Sequence, residues 1–373
     1  MGKPIRTIAT GSRDVGDLQR RDDDVMQKLI SLLRERRGVL MVGAGSSAIV
    51  GYPGWRKLAN ELRGKFAPEL PELPEEPKPT SDEILKYLDL IKKSANGSGR
   101  IEEYYKVLDR TFAPYKNRQN HTEFHSALIK LGFCGLVTTN YDMVLESAAG
   151  AVSEGRGNYC EPIDLCDISR HYRVFDFLRS LSPENLYTSV LHLHGCHNNP
   201  EGIILTEGDY RDKYERKPHK EYSASNPRGI LDSFHRKVIW SLLEMHLLVF
   251  VGFSMSDPFF MDLLEIVQHD FSLGGDTVHF AIMGYSDDEQ EEIERRLKSY
   301  GVQPVFYYAP KDTDGSVDHR GLQNMIFDLL NTLEVEQQKP TESKVEQGEE
   351  IKIPTKAGLP SLDEVNERTL GLY

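Results

Sequence analysis

Cysteine is scarce: Cys134, Cys160, Cys166 and Cys196 are the four in 373 residues, and no two form a Cys-x-x-Cys pair. A structural zinc ribbon therefore has no ligand pairs to build from, and the thiols read as reduced side chains in or near the core. Long apolar runs are missing too, since none reaches the ~18 residues that a membrane span needs. The first twenty residues carry Arg6, Arg13 and Arg20 without an apolar stretch, so they do not read as a secretory signal. Arg6 also stands where a myristoylation motif has Ser or Thr. Basic charge is in deficit, with 45 Lys+Arg against 58 Asp+Glu and a formal charge of −13. Such a surface does not wrap a phosphate backbone, which argues against direct nucleic-acid binding. What is present, 39% hydrophobic residues including 15 Phe and 17 Tyr, supplies a sizeable core. The expectation is a soluble cytoplasmic protein, built as two domains or one large α/β domain with insertions.

Residues 1–22 read as a flexible polar arm. The spacing of Val25, Met26, Leu29, Ile30, Leu32 and Leu33 predicts an amphipathic helix from Val25 to Arg36. Val39-Leu40-Met41-Val42 follows as a short continuous apolar run, the mark of a strand buried on both faces. Residues 67–79 are dense in Pro and Glu and read as a solvated connection. Helices are predicted from Ser81 to Lys93, around Ile101–Leu108, and from Thr122 to Lys130. The stretch 56–131 is thus an all-helical insertion between the first two strands. Further strands are predicted at Gly135–Thr139, Val190–Leu193, Leu247–Val251, Val278–Met283 and Val302–Tyr308, with helices near 141–149, 226–244, 257–269, 286–299 and 320–333. Buried strands interleaved with helices specify an α/β fold: a Rossmann-like parallel sheet covered by helices on both faces, spanning 23–333. Residues 334–373 read as a flexible tail. In it Ser361 and Glu364 form a capping-box pattern, and Leu362, Val365 and Thr369 share a face, so a short terminal docking helix is expected.

Four motifs carry chemistry. Gly43-Ala44-Gly45-Ser46-Ser47-Ala48 follows the first strand directly, where glycines let backbone amides approach a pyrophosphate at a helix start. An ordinary dehydrogenase places an acidic residue ~20 positions on, at the end of a second strand; here that region is the helical Trp55–Phe66. Thr138-Thr139-Asn140-Tyr141-Asp142 ends a buried strand, where open α/β sheets bind ligands; helix capping by Thr139 or Asn140 accounts for one of these polar residues, not for the run. Leu191-His192-Leu193-His194-Gly195 ends another strand, and period-2 geometry puts both histidines on one face. His194, at the binding edge, is placed to act as a base with a near-neutral pKa, while His192 lies one pleat deeper and is expected to matter less. A metal on the two histidines lacks an apparent third ligand. Last, Gly252-Phe253-Ser254-Met255-Ser256-Asp257-Pro258 ends a strand and starts a helix in the preferred Ncap-N1 order. It reads as a well-capped junction or as a second backbone cradle.

Taken in this order, Gly-Ala-Gly-Ser, Thr-Thr-Asn-Tyr-Asp, His-Gly and Gly-Phe-Ser resemble the sirtuin (SIR2) family, and most nearly its bacterial SIR2-like branch in anti-phage defence systems. The resemblance covers residues 25 to 310. Gly51-Tyr52-Pro53-Gly54-Trp55-Arg56 keeps the Gly, Pro, aromatic and Arg of the sirtuin Gly-Ile-Pro-Asp-Phe-Arg but loses its Asp, and the four-Cys zinc module of the deacylases is missing. The resemblance accordingly implies a SIR2-like NAD-binding domain that binds and cleaves NAD+ without a metal. By the same resemblance Gly43, Ala44, Gly45 and Ser46 hold the pyrophosphate, Thr139 joins the dinucleotide site, and Gly252, Phe253 and Ser254 face the adenosine side. Asn140 orients the water or ribose, Asp142 contacts the nicotinamide carboxamide, and His194 is the base. With water as acceptor the implied enzyme is an NAD+ glycohydrolase (NADase) releasing ADP-ribose and nicotinamide, depleting NAD+ in abortive infection. An NAD-dependent protein deacylase and a non-catalytic NAD+ or ADP-ribose sensor are the alternatives. Uncontrolled hydrolysis kills the host, and no appended sensor domain is evident, so control through a homo-oligomer or a partner is expected. Relatives of this kind pair with a HerA-like hexameric ATPase, an Argonaute or another protein.

Overall fold

The computed structural model describes residues 15–337 apart from 117–119, 154–159, 185–188, 215–216, 219–229, 232, 271–277, 287–288 and 312–316. The expected terminal docking helix at 359–373 and most of the expected N-terminal arm lie outside the described residues. The strands are β1 (Gly38–Val42), β2 (Gly135–Thr138), β3 (Glu161–Asp164), β4 (Ser189–His192), the two-residue β5 (Lys217–Pro218) and β6 (Ile230–Leu231), β7 (Leu247–Val251), β8 (His279–Tyr285) and β9 (Val302–Tyr308). Seven of them form one sheet in the order β3-β4-β2-β1-β7-β8-β9. Every pairing in it is parallel.

The helices are α1 (Val15–Arg34), α2 (Ala44–Ala48), α3 (Trp55–Phe66), α4 (Ser81–Gly97), α5 (Ile101–Phe112), α6 (Glu123–Lys130), α7 (Val144–Val152), α8 (His171–Ser180), α9 (Glu207–Tyr214), α10 (Phe234–Met245), α11 (Pro258–Asp270), α12 (Gln290–Ser299) and α13 (Arg320–Gln337). Strand residues alternate between two cores. Val39, Met41, Val137, Leu191, Leu248 and Phe250 meet α8, α10 and α11 on one face. Leu40, Val42, Leu136, Val190, Val249 and Val251 meet α1, α6, α7 and α13 on the other. This two-faced burial is why the strands read as continuous apolar runs. A third core joins α3, α4 and α5 through Leu58, Leu62, Leu88, Ile91, Tyr104 and Leu108. Helix α4 starts on a capping box, in which the Thr80 hydroxyl accepts from Glu83 N–H and the Glu83 carboxylate accepts from Thr80 N–H at 2.7 Å.

Several boundaries differ from the sequence reading. Helix α1 begins at Val15, ten residues before Val25, because its first turns are polar and periodicity does not report them. Strand β3 has no counterpart in that reading. It is four residues long and contains Pro162, which is tolerated because β3 is an edge strand. Helix α7 starts at Val144, since Asp142 Oδ1 accepts the Val144 N–H at 3.1 Å, so neither Thr139 nor Asn140 is its cap. Helix α10 starts at Phe234 rather than near 226, with the Ser233 hydroxyl accepting from Arg236 N–H at 3.0 Å. Helix α13 runs to Gln337, into the stretch expected to be tail. All four cysteines are buried and free. Among the described residues no helix is long and apolar enough to cross a membrane.

From β1 the chain moves out to β2 and beyond, then returns to place β7 on the opposite side of β1. The connections leaving β1 and β7 therefore diverge, and a crevice opens at the carboxyl ends of these two strands.

Candidate functional site

Two turns meet at that crevice. The Gly45 amide donates to the Gly252 carbonyl at 2.9 Å, and the Gly43 amide to the Val251 carbonyl at 3.0 Å. A Cβ on Gly43 would stand 2.5 Å from the Gly252 oxygen, and one on Gly252, where φ is +63°, 2.7 Å from the Ser46 nitrogen. These glycines are thus demanded by backbone packing on backbone. The Gly45 amide, expected to face a pyrophosphate, is spent inside the protein. Ser46 is likewise turned inward, its hydroxyl donating to the Gly43 carbonyl at 2.9 Å.

A cavity of about 540 Å³ lies over the two turns. Of the residues singled out from sequence, Ala44, Gly45, Thr139, Asn140, Asp142, His194, Gly252, Phe253 and Ser254 line it, whereas Gly43 and Ser46 do not. Ser47 lines it in place of Ser46. The reason is helical: with Gly43 as N-cap of α2, Ala44 and Ser47 fall three apart on one face. The cavity continues past the ends of β8 and β9 to Tyr285, Glu289, Tyr307, Lys311 and His319, none of which the motifs flagged.

Asn140 is held from every side but one. Its backbone N–H donates to Thr138 Oγ1 at 3.0 Å, and its side-chain Nδ2 donates to the Gly43 carbonyl at 3.0 Å and to Ser47 Oγ at 2.8 Å. Its Oδ1 is buried and has no hydrogen-bond partner among the described residues. An acceptor left in this state costs about 1–3 kcal/mol. The backbone carbonyl of Asn140 lies 2.8 Å from Nδ1 of His192, whose Nε2 lies 2.7 Å from Glu146 Oε1. Burial works against charge on the His192 ring, but the Glu146 carboxylate, the Asn140 carbonyl and Asp142 outweigh it and raise its pKa. Asp142 is raised chiefly by burial, against the Ser47 hydroxyl and the Val144 amide, which favour its charge.

The two histidines do not share a face. β4 ends at His192, so the period-2 alternation stops there. His192 reaches α7 through Glu146, while His194 is bracketed by tyrosines of α9. Nε2 of His194 lies 2.6 Å from Tyr214 Oη and Nδ1 lies 3.3 Å from Tyr210 Oη. Burial pushes the His194 pKa down to about 3, which corrects the expectation of a near-neutral base. Asp257 caps α11 as expected, its Oδ1 accepting from Phe259 and Phe260 N–H at 3.1 Å each. Its Oδ2 accepts the Tyr210 hydroxyl at 2.8 Å. Burial raises Asp257 to about 6, against those three donors. Sequence reasoning treated Asp257 as a cap and passed over Tyr210 and Tyr214 altogether. Their i, i+4 spacing on a short polar helix was the only signal. Among the described residues no group of three or more His, Cys, Asp or Glu side chains is placed to hold a metal ion.

The parallel sheet, its switch-point crevice and its helical layers are those of the Rossmann-like α/β class. Residues 135–305, from β2 into β9, match the family described as SIR2-like domain. It is 22% identical over 245 residues to defense-associated sirtuin 2 of Bacillus subtilis, an alignment covering 63% of this chain and 20% of that protein. It is 23% identical over 260 residues to NAD(+) hydrolase ThsA of Bacillus cereus (strain MSX-D12), covering 70% of this chain and 46% of that one. The chain thus matches from a fifth to just under half of the length of these curated relatives. The resemblance drawn from the four motifs is borne out. Asn140, His194, Gly252 and Asp257 all fall inside the matched stretch, and the Gly43 turn precedes it.

Proposed function

We propose that this protein is an NAD+ glycohydrolase that cleaves NAD+ to ADP-ribose and nicotinamide in anti-phage defence, under the control of assembly or a partner protein. The observation that carries this reading is the Asn140 side chain, which lines the cavity, is fixed by Gly43 and Ser47, and keeps a buried Oδ1 without a partner among the described residues. Cleavage of the N-glycosidic bond sends its electron pair to the nicotinamide ring, which becomes neutral, and leaves positive charge on the ribose as in glycoside hydrolysis. The carbonyl dipole of Asn140, held by its own amide bonds, presents negative charge to that centre or accepts a hydrogen bond from the attacking water. The water oxygen bonds the anomeric carbon and its proton passes to a base, the role assigned to His194. Asp142 contacts the carboxamide. Ala44, Gly45 and Thr139 take the pyrophosphate side, with Gly252, Phe253 and Ser254 toward adenosine. The named activity of the Bacillus cereus relative supports the substrate and reaction.

The test is to incubate the purified protein with NAD+, with and without the product of the neighbouring gene, and to identify products by chromatography. Stoichiometric nicotinamide and ADP-ribose, lost in Asn140→Ala and in His194→Ala while both variants remain folded, is the expected result. Full turnover by His194→Ala, or nicotinamide release that depends on an acylated lysine peptide, overturns the assignment.

A further inference from the structure

Asp257, Tyr210 and His194 form a buried chain of hydrogen bonds whose direction follows from chemistry. A carboxylate only accepts, so the single hydroxyl hydrogen of Tyr210 is committed to Asp257 Oδ2 at 2.8 Å. At its 3.3 Å contact with His194 the phenol oxygen must then accept, and the hydrogen lies on Nδ1. A neutral imidazole carries one hydrogen, which leaves Nε2 bare and accepting from the Tyr214 hydroxyl at 2.6 Å. Asp257 Oδ2 also stands 4.0 Å from His194 Nε2, close enough to favour the imidazolium that forms once Nε2 takes a proton. All four side chains are buried, and Asp257 and His194 both line the cavity.

We propose that Asp257, bridged by Tyr210, is the positioning group that fixes the tautomer and orientation of His194, so that Nε2 is the atom that accepts the proton. This rests on the reading of the site as an NAD+-cleaving one. The division of labour is economical. One oxygen of Asp257 starts α11 and is thereby immobilised, and the other transmits that rigidity through a phenol to the base. Among the described residues the His194 side chain hydrogen-bonds only to Tyr210 and Tyr214, and the Tyr214 hydroxyl can donate or accept, so without Tyr210 it does not by itself select a tautomer.

The experiment uses the full chain labelled with 15N-histidine, the His194 imidazole signals being assigned by their loss in His194→Gln. In the wild type the expected signals are those of a protonated Nδ1 and a bare Nε2. In Asp257→Asn the side-chain amide donates to Tyr210, the phenol hydrogen turns to Nδ1, and the ring moves to the Nε2-protonated tautomer. Asn is itself a good N-cap, so α11 keeps its start. In Tyr210→Phe the ring packing stays and the two tautomers mix. In both variants kcat for NAD+ cleavage falls about tenfold or more, while KM changes by less than about threefold, as expected for loss of a base-orienting group. An Nε2-protonated His194 in the wild type, or a tautomer unchanged in both variants, overturns the proposal. A wild type with the expected tautomer that leaves NAD+ intact supports the positioning chain and removes the function instead.

Discussion

The amide of Gly45 and the carbonyl of Gly252 meet at 2.9 Å, fastening the turn after β1 to the turn after β7 across the switch point of the sheet. Both turns wall the cavity, so their mutual position sets its floor.

Any side chain in this junction should therefore cost stability and shape together. At Gly252 a Cβ meets the Ser46 nitrogen at 2.7 Å and the backbone sits at φ +63°. Gly252→Ala should destabilise by roughly 1–3 kcal/mol from overpacking and strain. Gly43→Ala, whose Cβ would strike the Gly252 oxygen at 2.5 Å and the Phe253 Cα at 2.6 Å, should cost at least as much. Urea unfolding curves check this, with Gly54→Ala, where nothing lies within 4 Å, as the neutral reference.

His192 was expected to matter less than His194 because it lies deeper. The two are equally buried, and it is the pairing of His192 with Glu146 that gives it weight in stability. His192→Ala removes the partner of a buried Glu146 and of the Asn140 carbonyl, and breaking a buried pair in this way costs about 3–5 kcal/mol. The pH dependence has a definite sign. The folded pKa of His192 is raised, so its contribution is fully present below the unfolded value and is lost as pH rises through the folded one. Urea midpoints of wild type and His192→Gln should differ most at mildly acid pH and converge as pH rises. A gap that widens toward alkaline pH would contradict the charged pairing.

How much of this could be read from sequence follows from what each signal measures. β1, β2 and β7 were legible because burial on both faces writes an apolar run into the chain, as in Leu247–Val251. β3 was not, being four residues with a proline. Asn140 and His194 stood out through motif order, which reports chain neighbours. Ser47 and Asn140 are 93 residues apart, and Tyr210 and Asp257 are 47 apart, so their pairings exist only once the sheet brings the elements together. His194 lines the cavity, yet its pKa direction was missed, because two tyrosines from a polar helix pack around it.

His125 shows the same kind of hidden support. The Thr122 amide donates to Nδ1 of His125 at 3.1 Å, so that atom carries no hydrogen, and Nε2–H donates to the Ser46 carbonyl at 3.1 Å. α6 thus braces α2. Burial pushes His125 down to about 4, and His279 likewise to about 4. Depressed histidines bind protons more readily unfolded than folded, so the stability they permit is complete above the unfolded value near 6.5 and is lost as pH falls toward 4. Each such group should remove roughly 2–3 kcal/mol by pH 4. Thermal unfolding should show a steep fall in Tm between pH 6.5 and 4, shallower in His125→Gln. An unchanged slope in that variant would place the acid sensitivity elsewhere.

Tyr214 occupies the very atom that the proposed chemistry needs. Its hydroxyl donates to Nε2 of His194 at 2.6 Å, and neither group is exposed. A proton from water can reach Nε2 only after that bond is exchanged, so the phenol holds the base in reserve. Tyr214→Phe keeps the ring stacked on Tyr210, whose centroid lies 5.4 Å away, and removes only the competing donor. Stability should drop by about 1–3 kcal/mol, because a buried nitrogen loses its partner. NAD+ cleavage should nevertheless rise several-fold in kcat/KM, the opposite direction from Tyr210→Phe, which loses the bond that fixes the tautomer. Initial rates of nicotinamide release from the two phenylalanine variants, measured side by side with wild type, decide the matter. If both variants lose activity alike, Tyr214 supports His194 as Tyr210 does and does not hold it in reserve.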